Sequence, residues 1–354
     1  MRVPYTYLTT EFHPGSRMSR DIMSDIAQEL RQGHFTLGEK VKEFEAAFAN
    51  ACDARYAIGV GNGTDALFLI MKALDIDASH TVVVPPNTFV ATVGAILAAG
   101  ARPVFADIGD DFNINVEKLD PGKHFLIILV DWGGKVVEHP FSWIDVIYDS
   151  CQSIGAAHKS PSIARAYSLH PLKNVNVWGD GGVITTDNEE IIKDLLLLRN
   201  HGLSDRDTWV VPGYNSRLDT IQAIVGLHVL QDMDRVTERR RANAAQYDNG
   251  LASLEQVRIP PRTGEHVYHL YQVEVERRDD LLRFLQAHEI EAKVHYPTPL
   301  HLQPALKFMG HKPGDFPRAE AFARDHISLP IHQYLRKEQI DYVVESIHDF
   351  YKGG

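Results

Sequence analysis

The chain has 354 residues, of which 44% are hydrophobic and 23% charged, a composition typical of a globular protein larger than one ordinary domain. Its formal net charge of −11 and scattered basic residues argue against a nucleic-acid partner. Two cysteines cannot build a disulfide framework, and no CxxC pair suggests a metal. No secretory signal or stretch of roughly 20 apolar residues appears. We therefore expect a cytoplasmic protein with no metal and no membrane contact.

The first half of the chain predicts an α/β fold. An amphipathic helix begins near Ser19, with Ile22, Ile26 and Leu30 on one face. From residue 56 to residue 187, β-branched runs then alternate with helical patterns, and one of those helices ends at Gly100. This alternation predicts a mostly parallel seven-stranded sheet flanked by helices. The seven runs read YAIGV, TVVVPP, PVFADI, FLIILV, IDVIYD, RAYSL and GVITTD.

The second half predicts a smaller α+β domain. A long helix over 220–251 leaves the sheet region behind, and residues 267–275 then alternate as a half-buried strand. A helix over DDLLRFLQAHE, a strand over EAKVHY and a closing helix over 337–351 follow. We expect a large domain over residues 1–235 and a small C-terminal domain over residues 236–354.

Three segments carry candidate chemistry on the predicted sheet. In GVGNGTDAL, residues 59–67, a strand ends in a glycine-rich turn and a helix begins at Thr64, which suits a bound phosphate or simply a capped turn. Asp149 follows the apolar strand IDVIY, where a carboxylate faces a ligand crevice or caps a helix. Lys173 lies on a bend between two core strands, so it is either a desolvated nucleophile or a surface lysine.

The order of these segments resembles the DegT/DnrJ/EryC1/StrS family of sugar aminotransferases, which have the aspartate aminotransferase type I fold. The resemblance extends over nearly the whole chain. The matching pieces are GNGTDAL, PPNTFVAT, PVFADI, YDSCQSIGA, SLHPLKN with GDGG, RNHGL with GYNSRLDTIQA, and HYPTPLHLQP.

The resemblance implies a pyridoxal 5'-phosphate site, with pyridoxamine phosphate formed during turnover. Lys173 would hold the cofactor as a Schiff base, and Asp149 would pair with the ring nitrogen. Gln152 would lie near the ring hydroxyl and Phe89 would stack on the ring. The residues implied to bind the phosphate are Gly63, Thr64, Ser168 and, from a neighbouring subunit of a homodimer with a shared active site, Asn215.

The same resemblance implies transfer of an amino group from glutamate to a nucleotide-linked keto sugar, with the ketone at carbon 3 favoured over carbon 4. His295, Tyr296 and His301 are candidate substrate-binding residues, although a histidine in a small domain is often structural. A cyclitol aminotransferase is the leading alternative on substrate. A sugar dehydratase of the same family, which uses a histidine in place of the lysine, and a catalytically silent binding module are the others.

The chain departs from the family pattern at one edge of the expected site. The family sequence VHLYGQ reads VDWGGK here, with Asp131 and Trp132 in place of a histidine–leucine or leucine–tyrosine pair. The helix that usually follows is reduced to VVEHPFSW, and the loop at 157–165 is short. We expect these changes to affect substrate choice more than the chemistry.

Overall fold

The computed structural model describes residues 1–119, 126–142 and 144–353. The predicted sheet is present as seven strands in the spatial order β1-β7-β6-β5-β4-β2-β3. Strands β2 to β6 run parallel to one another, whereas β7 is antiparallel to both β6 and β1. The strand bounds are β1 Tyr56–Val60, β2 Thr81–Val84, β3 Arg102–Phe105, β4 Leu126–Val130, β5 Asp145–Asp149, β6 Ala164–Ser168 and β7 Gly182–Thr186.

Helices cover the sheet. The helices α4 and α5 follow β1 and β2, and α5 ends at Gly100 as predicted, with that glycine in the left-handed conformation. A core of buried aliphatic side chains joins these helices to one face of the sheet. A second core joins α2, α3 and α7 to the rest of the large-sheet region. The helix bounds in this part are α1 Leu8–Glu11, α2 Arg17–Gln32, α3 Glu39–Ala51, α4 Gly63–Ala73, α5 Val90–Ala99, α6 Glu189–Leu198 and α7 Thr220–Leu230.

The C-terminal part builds its own core around a three-stranded antiparallel sheet in the order β10-β9-β8. The first residues of the chain join it, since Val3 is buried in this core and forms a bridge with Ile290. The division that we propose at residue 235 falls in the first turn of α8. The elements are α8 Met233–Leu251, β8 Val257–Arg258, β9 Tyr271–Val275, α9 Arg278–Ala287, α10 Pro317–Asp325, β10 His326–Leu329 and α11 Lys337–Lys352.

Three elements of this part differ from the sequence prediction. The prediction of one long helix over 220–251 is wrong, because the chain turns at Asp232 between α7 and α8. The Asp232 carboxylate pairs with Arg235 in the first turn of α8. The strand predicted over 291–296 is also wrong, since Lys293 meets Ser328 of β10 in a single bridge. The half-buried strand is shorter than predicted and buried throughout, because β9 is the central strand of its sheet.

The fold class is nevertheless the one predicted: a mostly parallel sheet flanked by helices, followed by a small α+β unit. Within the described residues, no helix combines the length and apolar character that a bilayer crossing needs. The parallel strands β4, β5 and β6 all point their carboxyl ends at one edge of the sheet, which is where ligands bind in open α/β folds.

Candidate active site

A cavity of about 310 Å³ lies at the carboxyl ends of β4, β5 and β6, between the large sheet and the small C-terminal unit. The first turns of α4 and α5 and the loop after β6 complete its wall. It brings together most of the residues predicted for the site. Those lining it are Gly63, Thr64, Phe89, Asp149, Gln152, Ser168, Lys173, His295 and Tyr296.

The first turn of α4 offers an anion site. The Asn62 side chain caps this helix by accepting a hydrogen bond of 2.8 Å from the Asp65 backbone N–H. The N–H groups of Gly63 and Thr64 precede the first possible intrahelical bond, so they stay available to a ligand. A Cβ at position 63 would lie 2.8 Å from the Cβ of Ser168, so only glycine lets the helix approach so closely. These residues fit a phosphate.

Asp149 ends β5 and is buried with its carboxylate in the cavity wall. The hydroxyl of Thr92 donates to Oδ2 at 2.7 Å, and the backbone N–H of Cys151 donates to Oδ1 at 3.2 Å. Thr88 in turn contacts Thr92 through their hydroxyls at 2.8 Å. A carboxylate fixed in this way can accept a further hydrogen bond from a protonated ring nitrogen. Thr92 was not predicted from the sequence, although its spacing of four from Thr88 places both on one side of a helical turn.

Lys173 lies in the loop after β6, half-buried in the same cavity. Its backbone is fixed on both sides, because its N–H donates to His170 and its carbonyl accepts from the Tyr7 hydroxyl at 2.9 Å. Desolvation lowers the pKa of the Lys173 ammonium, and electrostatic interaction with Cys151 and Asp149 offsets only part of that lowering. A larger fraction of neutral amine results, which is the form that attacks an aldehyde.

Aromatic and amide groups surround the space between Asp149 and Lys173. Phe89 precedes α5, leaves 48% of its surface exposed and contacts Tyr296, with ring centroids 5.6 Å apart. Gln152 accepts a hydrogen bond of 2.6 Å from the Gly133 N–H through its side-chain oxygen. Its NH₂ group has no partner among residues 1–119, 126–142 and 144–353. The cavity therefore offers a ring face and a free amide donor beside the carboxylate.

Three histidines, His170, His269 and His295, line the cavity near Lys173, and His295 is the one predicted as a substrate-binding residue. Burial lowers the pKa of His295 to about 4, and the Lys173 and Lys293 charges add to the effect. Burial likewise lowers the pKa of His269 well below its usual range, and the Lys173 charge again contributes. Desolvation and Lys173 also lower the pKa of His170. All three are neutral hydrogen-bonding groups at neutral pH. The sequence did not indicate a site role for His269, because the residue lies in an alternating pattern that predicts a strand.

Two predicted residues do not reach the cavity within one chain. His301 is buried behind it, where its Nε2 contacts Glu320 at 3.0 Å and its ring packs on Phe316. Asn215 lies on an exposed loop and pairs with Asn200 through a backbone bridge. The structure thus gives His301 a packing environment and leaves Asn215 exposed on the surface of its own chain.

The fold and the cavity define an α/β enzyme with a desolvated lysine, a fixed carboxylate and a phosphate cradle in one site. The model of the DegT/DnrJ/EryC1/StrS aminotransferase family matches residues 16–348, and the chain belongs to that family. The predicted family and enzyme class, an aminotransferase, are confirmed.

Curated relatives match along almost the whole chain. The pleiotropic regulatory protein of Geobacillus stearothermophilus is 36% identical, and the match covers 99% of both chains. The dTDP-3-amino-3,4,6-trideoxy-alpha-D-glucose transaminase of Streptomyces venezuelae is 34% identical, over 99% of this chain and 96% of the relative. The UDP-N-acetyl-3-dehydro-alpha-D-glucosamine 3-aminotransferase of Acidithiobacillus ferrooxidans is 32% identical, over 96% and 95%.

Solved structures superpose on almost the whole chain. DesV of S. venezuelae, in complex with a ketimine intermediate, superposes with a TM-score of 0.91 at 32% identity, over 99% of this chain and 98% of that one. NtdA of Bacillus subtilis, with bound cofactor PMP, gives 0.90 at 27% identity, over 99% and 85%. The putative sugar aminotransferase Spr1654 of Streptococcus pneumoniae, in its PLP form, gives 0.85 at 27% identity, over 94% and 96%.

Proposed function

We propose that this aminotransferase transfers the amino group of glutamate to a ketone on a nucleotide-linked sugar, with pyridoxal phosphate bound at Lys173. The observation that carries the proposal is the meeting of Lys173, Asp149 and the first turn of α4 in one cavity. The cofactor prediction agrees with the PLP and PMP forms of the similar solved structures. Bound pyridoxal phosphate acts as an electron sink for the negative charge that develops at the donor α-carbon.

Each proposed residue has a physical task. Lys173, kept partly neutral by desolvation, is the amine that holds the cofactor and then moves the proton at the donor α-carbon. Asp149 pairs with the ring nitrogen, while Thr92 keeps the carboxylate in place. Phe89 covers one ring face, and the amide of Gln152 donates toward the ring hydroxyl.

The phosphate site completes this arrangement. Gly63 and Thr64 supply backbone N–H groups at the positive end of the α4 dipole, and the Ser168 hydroxyl lies against the same turn. No arginine lines the described wall of the cavity, and Lys173 is its single cationic side chain there. The helix terminus therefore supplies the positive potential for the phosphate within one chain.

We further propose an active homodimer in which Asn215 reaches the partner's phosphate site. The loop that carries Asn215 exposes large apolar side chains, including Trp209 at 69% and Val210 at 53%. Tyr214 on the same loop packs edge-to-face on Phe68 of α4, which keeps the loop beside the helix that forms the cradle. Clustered exposed apolar groups favour a protein partner, and a twofold contact repeats each interaction twice.

The favoured position of the ketone is carbon 3. Two of the relatives are named for a 3-amino sugar product or a 3-dehydro sugar substrate, one linked to dTDP and one to UDP. His295 and Tyr296 of the small unit face the cofactor space and are the proposed sugar contacts. A cyclitol as acceptor is the alternative on substrate. The dehydratase alternative is less favoured because a lysine occupies position 173, although His170 lies at the same cavity.

The test is a screen of nucleotide-linked 3-keto and 4-keto sugars with ¹⁵N-labelled glutamate, read by mass spectrometry and product NMR. Label in an amine at carbon 3 supports the proposal. An amine at carbon 4, or a cyclitol as the sole accepted ketone, contradicts the substrate assignment. Failure of glutamate to change the visible band of the cofactor-loaded protein contradicts the donor assignment.

A further inference from the structure

The turn after β4 carries one of the departures from the family sequence, and it contacts the cofactor-binding segment directly. We propose that Asp131 is a positioning residue, which fixes the segment 149–152 so that Asp149 and Gln152 face the cofactor ring. This inference rests on the proposed function. No residue of the turn lines the cavity, so any effect on the reaction passes through Asp149 and Gln152.

The Asp131 carboxylate is fully buried and accepts four hydrogen bonds. Oδ2 accepts from the hydroxyls of Ser150 at 2.8 Å and Ser153 at 2.6 Å, and from His158 Nε2 at 2.7 Å. Oδ1 accepts from the Val137 N–H at 3.1 Å. Three of the four donors therefore belong to the segment that directly follows Asp149. A buried carboxylate needs such donors, because each unpaired lone pair costs desolvation free energy.

Main-chain contacts from the same turn reach both ends of the segment 149–152. The Asp131 N–H donates to the Asp149 carbonyl at 3.1 Å, and the Gly133 N–H donates to the Gln152 side chain at 2.6 Å. Gly134, with a positive φ of 96°, lies so close to the Gln152 carbonyl that a Cβ would be 2.7 Å from it. The turn and the segment are therefore packed backbone to backbone.

These contacts replace support that a longer connection would give. Between β4 and β5 the described residues, which leave out position 143, form no α-helix, only a single 3₁₀ turn at Trp132–Gly134. From Ser150 to Ile163 the chain is an irregular loop with no helix. Without regular structure on either side, the Asp131 network is the main side-chain support of the start of this loop, beside the hydrogen bond from the Ser150 N–H to the Ala166 carbonyl and the burial of Ile154.

The network contains the residue types of a Ser-His-Asp hydrolytic triad, namely Ser150, His158 and Asp131. Their geometry excludes that role. The same nitrogen of His158 faces both the Asp131 carboxylate and the Ser150 hydroxyl, the latter at 3.3 Å. A triad histidine uses one nitrogen for each partner. Ser150 is fully buried and does not line the cavity. The network is therefore a structural clamp and not a nucleophilic site.

The test compares Asp131→Asn and Ser153→Ala with Glu320→Gln in the full-length, cofactor-loaded protein. Glu320 is a matched control, because it accepts from a histidine and from backbone N–H groups but lies outside the cavity. Three quantities are measured: the pyridoxal phosphate dissociation constant, the pH midpoint of the visible cofactor band, and the rate of the reaction with glutamate.

We expect Asp131→Asn to slow the glutamate reaction by about 10- to 100-fold, the order expected for displacement of a reacting group by about 1 Å. The pH midpoint should move and the cofactor should bind more weakly. Ser153→Ala, which removes one hydroxyl, should change the same quantities less. Glu320→Gln should lower the melting temperature and leave all three quantities unchanged.

The outcomes separate the two proposals. A wild-type protein without a cofactor band at Lys173 overturns the proposed function itself. A wild type with that band, together with variants that lose only thermal stability, overturns the positioning role. If Asp131→Asn does not fold, Ser153→Ala decides alone: wild-type values for the midpoint and the rate then contradict the inference.

Discussion

The hydrogen bond from Thr92 to Asp149 gives a sharp test of the site. Thr92→Val keeps the side-chain shape and removes the hydroxyl that donates to Oδ2 at 2.7 Å. A hydrogen bond to a charged group contributes about 1.5–3 kcal/mol, which corresponds to roughly 10- to 150-fold in a rate. Water from the cavity can take the place of the lost donor, which moves the expected effect toward the lower end of this range. We expect the glutamate reaction of Thr92→Val to slow within it.

The assay is stopped-flow absorbance after mixing cofactor-loaded protein with glutamate, which needs no knowledge of the sugar. Thr186→Val is the matched control, since its buried hydroxyl donates to the Ile163 carbonyl at 2.7 Å, away from the cavity. That variant should lose about 1 kcal/mol of stability and keep the wild-type rate. Thr92→Ser should recover most of the rate. A Thr92→Val rate within twofold of the wild type would refute the argument that Thr92 holds Asp149 for the reaction.

Two further predictions concern the residues that would contact the cofactor. Asp149→Asn should retain pyridoxal phosphate yet lose most of the glutamate reaction, because a neutral amide does not keep the ring nitrogen protonated; an unchanged rate would contradict the pairing. Desolvation lowers the pKa of Lys173, so its neutral form persists to lower pH than in an exposed lysine. Uptake of pyridoxal phosphate by the cofactor-free protein should therefore rise with pH through a midpoint below about 10.4, the ordinary pKa of lysine. Borohydride reduction should then attach the cofactor to Lys173. A midpoint at the ordinary pKa would contradict the desolvated site.

The sheet and the family were predictable because their signals are local. Each strand of the large sheet is a short apolar run bounded by turn residues, and Gly100 ends α5 in the left-handed conformation that glycine favours. Beyond residue 220 the same reasoning gave two wrong elements, the single helix over 220–251 and the strand over 291–296. Nothing local marks the break at Asp232, and the pairing of β9 with β10 joins residues about 55 positions apart in sequence, beyond the reach of periodicity.

The site residues that belong to a recognisable motif could be predicted from the sequence. Those whose role depends on tertiary contacts could not. Asp149 and Lys173 are recognisable in YDSCQSIGA and SLHPLKN, and the structure brings them to one cavity. No role for Thr92 was predicted from the sequence, and only its hydrogen bond to Asp149 at the end of β5 indicates one. His301, by contrast, belongs to a motif that reads as substrate-binding, but the helix α10 encloses it through Glu320. The sequence does not distinguish a histidine that lines a cavity from one that is enclosed by packing, so only the structure separates these two roles.

The proposed dimer predicts that a complete phosphate site needs residues of two chains. Asn215 is exposed and does not line its own cavity, so a role at the phosphate requires a second copy of the chain. A Lys173→Ala chain mixed with an Asn215→Ala chain tests this requirement, provided that the subunits are allowed to exchange. In the mixed dimer, the site of the Asn215→Ala chain keeps its own Lys173 and receives an intact Asn215 from the partner.

Equal mixing gives half mixed dimers, so about one quarter of all sites are intact if the site is shared across a twofold interface. Activity should therefore exceed that of either variant alone and approach about one quarter of the wild-type value. If Asn215 served its own chain, no site in the mixture would hold both intact residues, and the activity would fall to about half that of Asn215→Ala alone. Light scattering on the same samples supplies the control, because a stable monomer with full activity would remove the shared site whatever the mixing result.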